Sequence, residues 1–310
     1  MATFHLYNYQ FGKLGSEEEP DLFGNKTLSE LADENFPRRQ EILDNLLAED
    51  YQKTSQIAFS NASQSREYAH IHLMPPTDNI CILKIANRKT LNITNSKFEE
   101  KREYDYANCL FVIDNREGIQ RIAIEQNRNV FKEVRFLANI FKLTLNRLLK
   151  PYGLHIELYN LQDSADFWRC VNDKQEYPKG FYKLIFKLPH LNLDRLTKKI
   201  DKIATMARQS YDSDMTIEMK AKPGGCLNLS ENDNLQQAQV SYMTDDLGGE
   251  SIILVPVENK SKKIYIGKQS QKTTTIPTAV FTQIAEDASG NNLLASDALD
   301  KVKQNTTIGI

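Results

Sequence analysis

The chain has one tryptophan and four cysteines in 310 residues, and nowhere does it run through the roughly 18 uninterrupted apolar residues that cross a bilayer. Cys81, Cys109, Cys170 and Cys226 are widely spaced and form no C-x-x-C pair. That spacing excludes a paired-cysteine zinc module and a dithiol redox motif, and it fits reduced core thiols. Nucleophile signatures are also missing: there is no G-x-S-x-G elbow and no S-x-x-K. Gly267-Lys268-Gln269 lacks the first glycine of a phosphate-binding P-loop and the hydroxyl residue after its lysine, and Lys222-Pro223-Gly224-Gly225 reads as a turn. No catalytic motif is complete, so enzymatic activity stays open, and no cofactor is expected.

Little net charge is present either. A balance of −2, with 26% charged and 40% hydrophobic residues, is that of an ordinary globular chain with no global attraction to polyanions. Any nucleic-acid site must therefore be local. The opening "MATFHLYNYQFGK" alternates aromatic and polar side chains as a strand does, without the basic start and continuous apolar core of a secretory leader. A soluble, cytoplasmic protein without a membrane partner is expected.

What is present reads as an α+β fold: a mostly antiparallel sheet, one long amphipathic helix and a second, smaller α/β segment. A strand over about 3–11 is followed by an acidic loop with Glu17, Glu18, Glu19 and Asp21, then by an amphipathic helix carrying Ile42, Leu46 and Leu47. From about 55 to 127, short runs rich in Ile, Leu, Val and Tyr predict strands, the last two joined by a hairpin across Asn115–Gly118. Val130, Val134, Leu137, Phe141, Leu145 and Leu148 fall at helical spacing, and Pro151 and Gly153 end that helix. A further helix at about 192–209, a strand at "MTIEMKAK" and a hairpin around 258–261 follow. The expected division is a β-rich region at 1–152 ending in the long helix, an α+β region at 153–285 and a weakly ordered tail at 286–310.

Three patterns could carry chemistry. The hairpin "FVIDNREGIQRIAIEQN" sets Asp114 and Glu125 ahead of a helix, as in the PD-(D/E)xK nuclease arrangement, where two carboxylates hold a divalent cation. The lysine that would complete the motif is replaced by Asn127. Asp214, Glu218 and Lys220 in "DSDMTIEMK" form a weaker match, with Glu218 and Lys220 sharing one strand face. His70 and His72 likewise share a strand face, and His5 is the third metal ligand they would need; without it they are expected to lie on a solvated face.

Basic surfaces are better supported than catalytic ones. Residues 121–152 carry seven basic and two acidic side chains. Arg195, Lys198, Lys199 and Lys202 flank the apolar stripe of the helix at 192–209, while Lys260, Lys262, Lys263 and Lys268 surround Tyr265, an aromatic able to stack on a base. These positions are the expected nucleic-acid contacts. The Asn-, Lys- and Ile-rich texture resembles that of many bacterial accessory proteins, including ones encoded with anti-phage systems, and texture assigns no residue. The expectation is a non-catalytic nucleic-acid-binding accessory protein, with a protein-interaction or homo-oligomeric subunit and a metal-dependent nuclease as alternatives.

Overall fold

The computed structural model describes residues 1–14, 26–53, 56–94, 96, 98, 100–188, 215–241, 243–244, 252–266, 271–290 and 297–307. The acidic loop at 17–21 and the helix expected at 192–209 lie outside the described residues. In chain order, strand β1 (Ala2–Lys13) leads to helices α1 (Leu28–Asn35) and α2 (Arg39–Gln52). Strands β2 (Phe59–Ser60), β3 (Glu67–His72), β4 (Ile80–Thr94), β5 (Glu100–Asp114) and β6 (Arg121–Glu125) come next, then α3 (Val134–Leu149) and β7 (Leu154–Asn160). Helix α4 (Ser164–Asn172), strands β8 (Phe181–Leu188) and β9 (Met215–Lys220), helix α5 (Asn234–Ser241) and strands β10 (Ile252–Pro256) and β11 (Ile264–Ile266) precede β12 (Thr273–Ile276) and helices α6 (Thr278–Ser289) and α7 (Asp297–Thr306). Among the described residues about 35% helix and 36% strand, with antiparallel pairing, make this an α+β fold. Among the described residues no helix is long and apolar enough to cross a membrane.

Two compact units result. The first comprises Met1–Leu158 and Thr273–Ile308, so the expected boundary at 152/153 falls six residues before the observed one, and the chain after 272 returns to the first unit. Its sheet has the order β12-β1-β6-β5-β4-β3-β2, with β7 also paired to β1. Period-two alternation sends Tyr7, Tyr9 and Phe11 of β1 to one face, where they join Leu83, Ile85, Phe111, Ile113, Ile122 and Ile124 and the buried sides of α2 and α3. Phe4, on the other face, meets Phe281 of α6 at a ring separation of 5.4 Å. The tail expected to be loose is instead anchored here, because α7 buries Ala298, Leu299 and Val302.

Helix α1 begins with a capping box: Thr27 accepts from the Glu30 backbone N–H, and the Glu30 carboxylate accepts from that of Thr27. The turn after α3 requires glycine. Gly153 has φ +70°, and a Cβ there would lie 2.4 Å from the Leu28 carbonyl oxygen and 2.5 Å from the Ala32 nitrogen.

The second unit, Tyr159–Lys272, contains a sheet of order β11-β10-β8-β9. Phe167, Trp168 and Val171 of α4 pack on Phe181, Leu184, Phe186, Ile252 and Leu254.

Candidate nucleic-acid interface

Strands expected as separate short runs form one long hairpin. Register runs without a break from Ile80↔Asp114 to Thr94↔Glu100. Strand β3 covers β4 only as far as Ala86, and β6 covers β5 only over Phe111–Asp114. Beyond Asn87↔Ala107 the two strands pair, among the described residues, only with each other, so a two-stranded arm projects roughly 25 Å from the sheet. A bare hairpin is marginal in water, and this one is tied at its base. Arg66 Nη2 donates to Asn87 Oδ1 at 2.5 Å, Asn87 Nδ2 donates to the Val130 carbonyl at 2.7 Å, and Lys89 Nζ donates to the Asn129 carbonyl.

Alternation gives the arm two unlike faces. Cross-strand pairs Arg88↔Tyr106, Thr90↔Tyr104 and Asn92↔Arg102 make one; Lys89↔Asp105, Leu91↔Glu103 and Ile93↔Lys101 make the other. On the first face Tyr104 and Tyr106 are 60% and 49% exposed, and the Arg88 guanidinium lies 4.9 Å from the Tyr104 ring centre. Tyrosines two residues apart on one strand face stand about 7 Å apart, each flanked by an arginine. On the second face Lys101 pairs with Glu103 at 2.7 Å, leaving Leu91 and Ile93 exposed between charges. Near the base, Lys89, Arg128 and Lys132 with Phe131 and Phe136 line a cleft of about 470 Å³.

In the second unit two of the expected cations are engaged within the chain. Lys262 pairs with Glu176 at 3.0 Å and lies over Tyr177, while Lys260 sits 4.6 Å from the Tyr182 ring centre. Lys263 on the hairpin and Tyr265 on the short strand β11 are exposed. Arg195, Lys198, Lys199, Lys202 and Lys268 lie outside the described residues. In the first unit Lys142 of α3 is taken by Glu157 at 2.5 Å.

The acids of the opening hairpin are not brought together. Asp114 faces Arg121 across the β5/β6 pair, and Glu125 is four residues further along, about 13 Å away. Asp114 is fully buried and accepts from Arg116 Nε at 2.9 Å, Arg116 Nη2 at 2.6 Å and Thr306 Oγ1 at 2.5 Å. Arg121, also buried, donates to the Thr306 carbonyl at 2.8 Å and to Asn8 Oδ1 at 3.2 Å. These groups clasp α7 to the sheet. Glu125 instead accepts from the Leu110 backbone N–H at 2.8 Å. In the weaker match Asp214 lies outside the described residues, and Glu218 pairs with Lys183 at 3.1 Å and Lys220 at 2.8 Å on an exposed strand face. Those two ammonium groups hold the Glu218 carboxyl below its usual range.

The histidines depart most from expectation. His5 sits on β1, with β6, β5 and β4 between it and β3, roughly 19 Å from the other two. His70 and His72 point into the core rather than to solvent, and the neighbouring Ile71 faces out at 58% exposure. The third group is Asp50, in the last turn of α2. His70 Nε2 and His72 Nε2 lie 2.7 Å and 2.6 Å from Asp50 Oδ2, and the Ile57 N–H donates to Oδ1 at 2.6 Å. Side-chain exposure is 2% for each imidazole and 1% for the carboxylate. Burial by itself would raise the Asp50 pKa, but the hydrogen bonds from His70, His72 and Ile57 outweigh it and hold the carboxyl well below the usual range. The two signals for this partnership in the sequence are indirect: an acid at a helix C-terminus, where the helix dipole disfavours it, and an isoleucine between the two histidines. No family model matches the chain, and no curated protein matches it.

Proposed function

We propose that the protein is a non-catalytic nucleic-acid-binding protein whose contact surface is the Arg88/Arg102/Tyr104/Tyr106 face of the β4/β5 arm. The observation that supports this reading is the interleaving of two guanidinium groups with two exposed phenol rings on a ribbon that no other described element covers. Successive bases stack on aromatic faces whatever their identity, and flanking arginines meet the phosphates between them, which favours single strands over duplex. The cleft holding Lys89, Arg128 and Lys132 at the base of the arm offers further positive charge. Retention of labelled single-stranded DNA or RNA that falls steeply between about 50 and about 200 mM salt, without Mg²⁺-dependent cleavage, is the expected result. Equal retention at both salt concentrations, or cleavage lost on adding EDTA, would contradict it.

A second reading rests on the opposite face. Leu91 and Ile93 there, with Phe98 at 88% exposure near the tip, suit a contact with a second copy of this chain or a protein partner. Sedimentation separates the two: a dimer dispersed by Leu91→Lys, with nucleic-acid binding unchanged, assigns that face to self-association.

A further inference from the structure

We propose that Asp50, His70 and His72 form a buried binding site for one zinc-class divalent cation, independent of the arm. Strand β3 inverts the usual rule: it turns Ile71 to solvent and two imidazoles into the core. Both rings present the same nitrogen, Nε2, to a single carboxylate oxygen, and the three candidate ligand atoms lie within 4.8 Å of one another. Two imidazoles and one carboxylate suit a borderline-soft ion such as Zn²⁺ or Co²⁺. Mg²⁺ and Ca²⁺ require six or more donors, mostly oxygen.

The geometry accommodates the ion with a small adjustment. Donors bound at about 2.0–2.1 Å in a tetrahedral shell stand about 3.3 Å apart, so the imidazole–carboxylate separations open by roughly 0.6 Å. Each ring would bind through its Nε2 lone pair and so carry its N–H at Nδ1. For His72 that Nδ1 already faces Cys81 Sγ at 3.5 Å, where the N–H finds an acceptor. The Cys81 sulfur lies behind the ring, on the side away from Asp50. Its contact is with Nδ1 and not with the ligand atom Nε2, so it is an orienting group rather than a ligand. Phe59, edge-on to His70 at 4.7 Å, and Tyr51, edge-on to His72 at 5.6 Å, wall the cluster. A cation held there would tie the end of α2 to β3, and a water would complete its tetrahedral shell beside the three protein ligands.

The test uses the full chain, stripped with EDTA and dialysed. Calorimetric titration with Zn²⁺ should show one equivalent bound, and Co²⁺ should give the visible absorption of a tetrahedral centre. His72→Gln, which keeps an N–H donor toward Asp50 but offers no imidazole, should weaken Zn²⁺ binding at least tenfold with an unchanged circular dichroism spectrum, as should Asp50→Asn. Folded wild-type protein that binds neither ion, or that binds Zn²⁺ no more tightly than His72→Gln, overturns the proposal. If both variants unfold, ring ¹⁵N shifts of the wild-type protein decide: Zn²⁺ must move the resonances of both His70 and His72, and unmoved resonances refute the site.

Discussion

Asp114→Asn separates a structural clasp from a catalytic acid. The wild-type carboxylate is fully buried and accepts two charge-assisted bonds from Arg116 and one from Thr306, which ties α7 to the β5/β6 hairpin. Asparagine keeps one oxygen and removes the charge, so the Arg116 guanidinium loses its fork and one donor is left facing an N–H₂ group. Breaking a buried pair from one side costs about 3–5 kcal/mol. Arg116 keeps part of its hydration, its side chain being 28% exposed, which argues for the lower end, about 3 kcal/mol. For a unit of this size such a loss lowers the melting temperature by roughly 6–12 °C. Differential scanning calorimetry of both proteins measures it, with Thr306→Val as a partial version expected to cost about 1–2 kcal/mol. An Asp114→Asn protein whose unfolding lies within about 0.5 kcal/mol of wild type would refute the clasp.

Gly153→Ala should destabilise the first unit by about 2–5 kcal/mol, since the new Cβ meets the α1 backbone and the residue must keep a positive φ; a thermal midpoint equal to wild type would contradict the close approach. Native thiol titration at pH 8 should label Cys226 first. Burial pushes the Cys109 thiol up to about 12 and that of Cys170 up to about 11, leaving little thiolate at that pH, and Cys81 and Cys109 should react only after unfolding. Glu218→Gln should leave the folded content and any nucleic-acid binding unchanged, because among the described residues the carboxylate serves two solvent-accessible ion pairs.

The sheet, the α2 and α3 helices and the late hairpin were legible because their apolar residues repeat at the periods of strand and helix. The continuity of β4 and β5 was not. Beyond Ala86 both faces of the hairpin meet water, so the apolar alternation that marks a half-buried strand fades, and only Thr, Ile and Tyr remain as strand formers. Helix α7 was hidden by its polar composition, although Leu299, Val302 and Thr306 recur at one helical face and all three are buried. The imidazole cluster needed a partner that strand periodicity cannot supply: Asp50 lies twenty residues from His70, on a helix, and only the packing of α2 on β3 joins them. Local pattern identifies which side chains share a face, and tertiary packing decides whether that face is wet.

The most direct test of nucleic-acid binding through the arm is fluorescence anisotropy of a labelled single-stranded oligonucleotide with wild type, Tyr104→Ala, Tyr106→Ala and Arg88→Ala. All three positions are exposed and outside the core, so the variants should fold. Loss of one stacking ring costs about 1–3 kcal/mol, which is roughly 5- to 150-fold in affinity, and loss of Arg88 should also reduce the slope of affinity against salt by about one. Wild-type binding that persists unchanged in all three variants, or no binding by the folded wild-type protein, would contradict the assignment of this face.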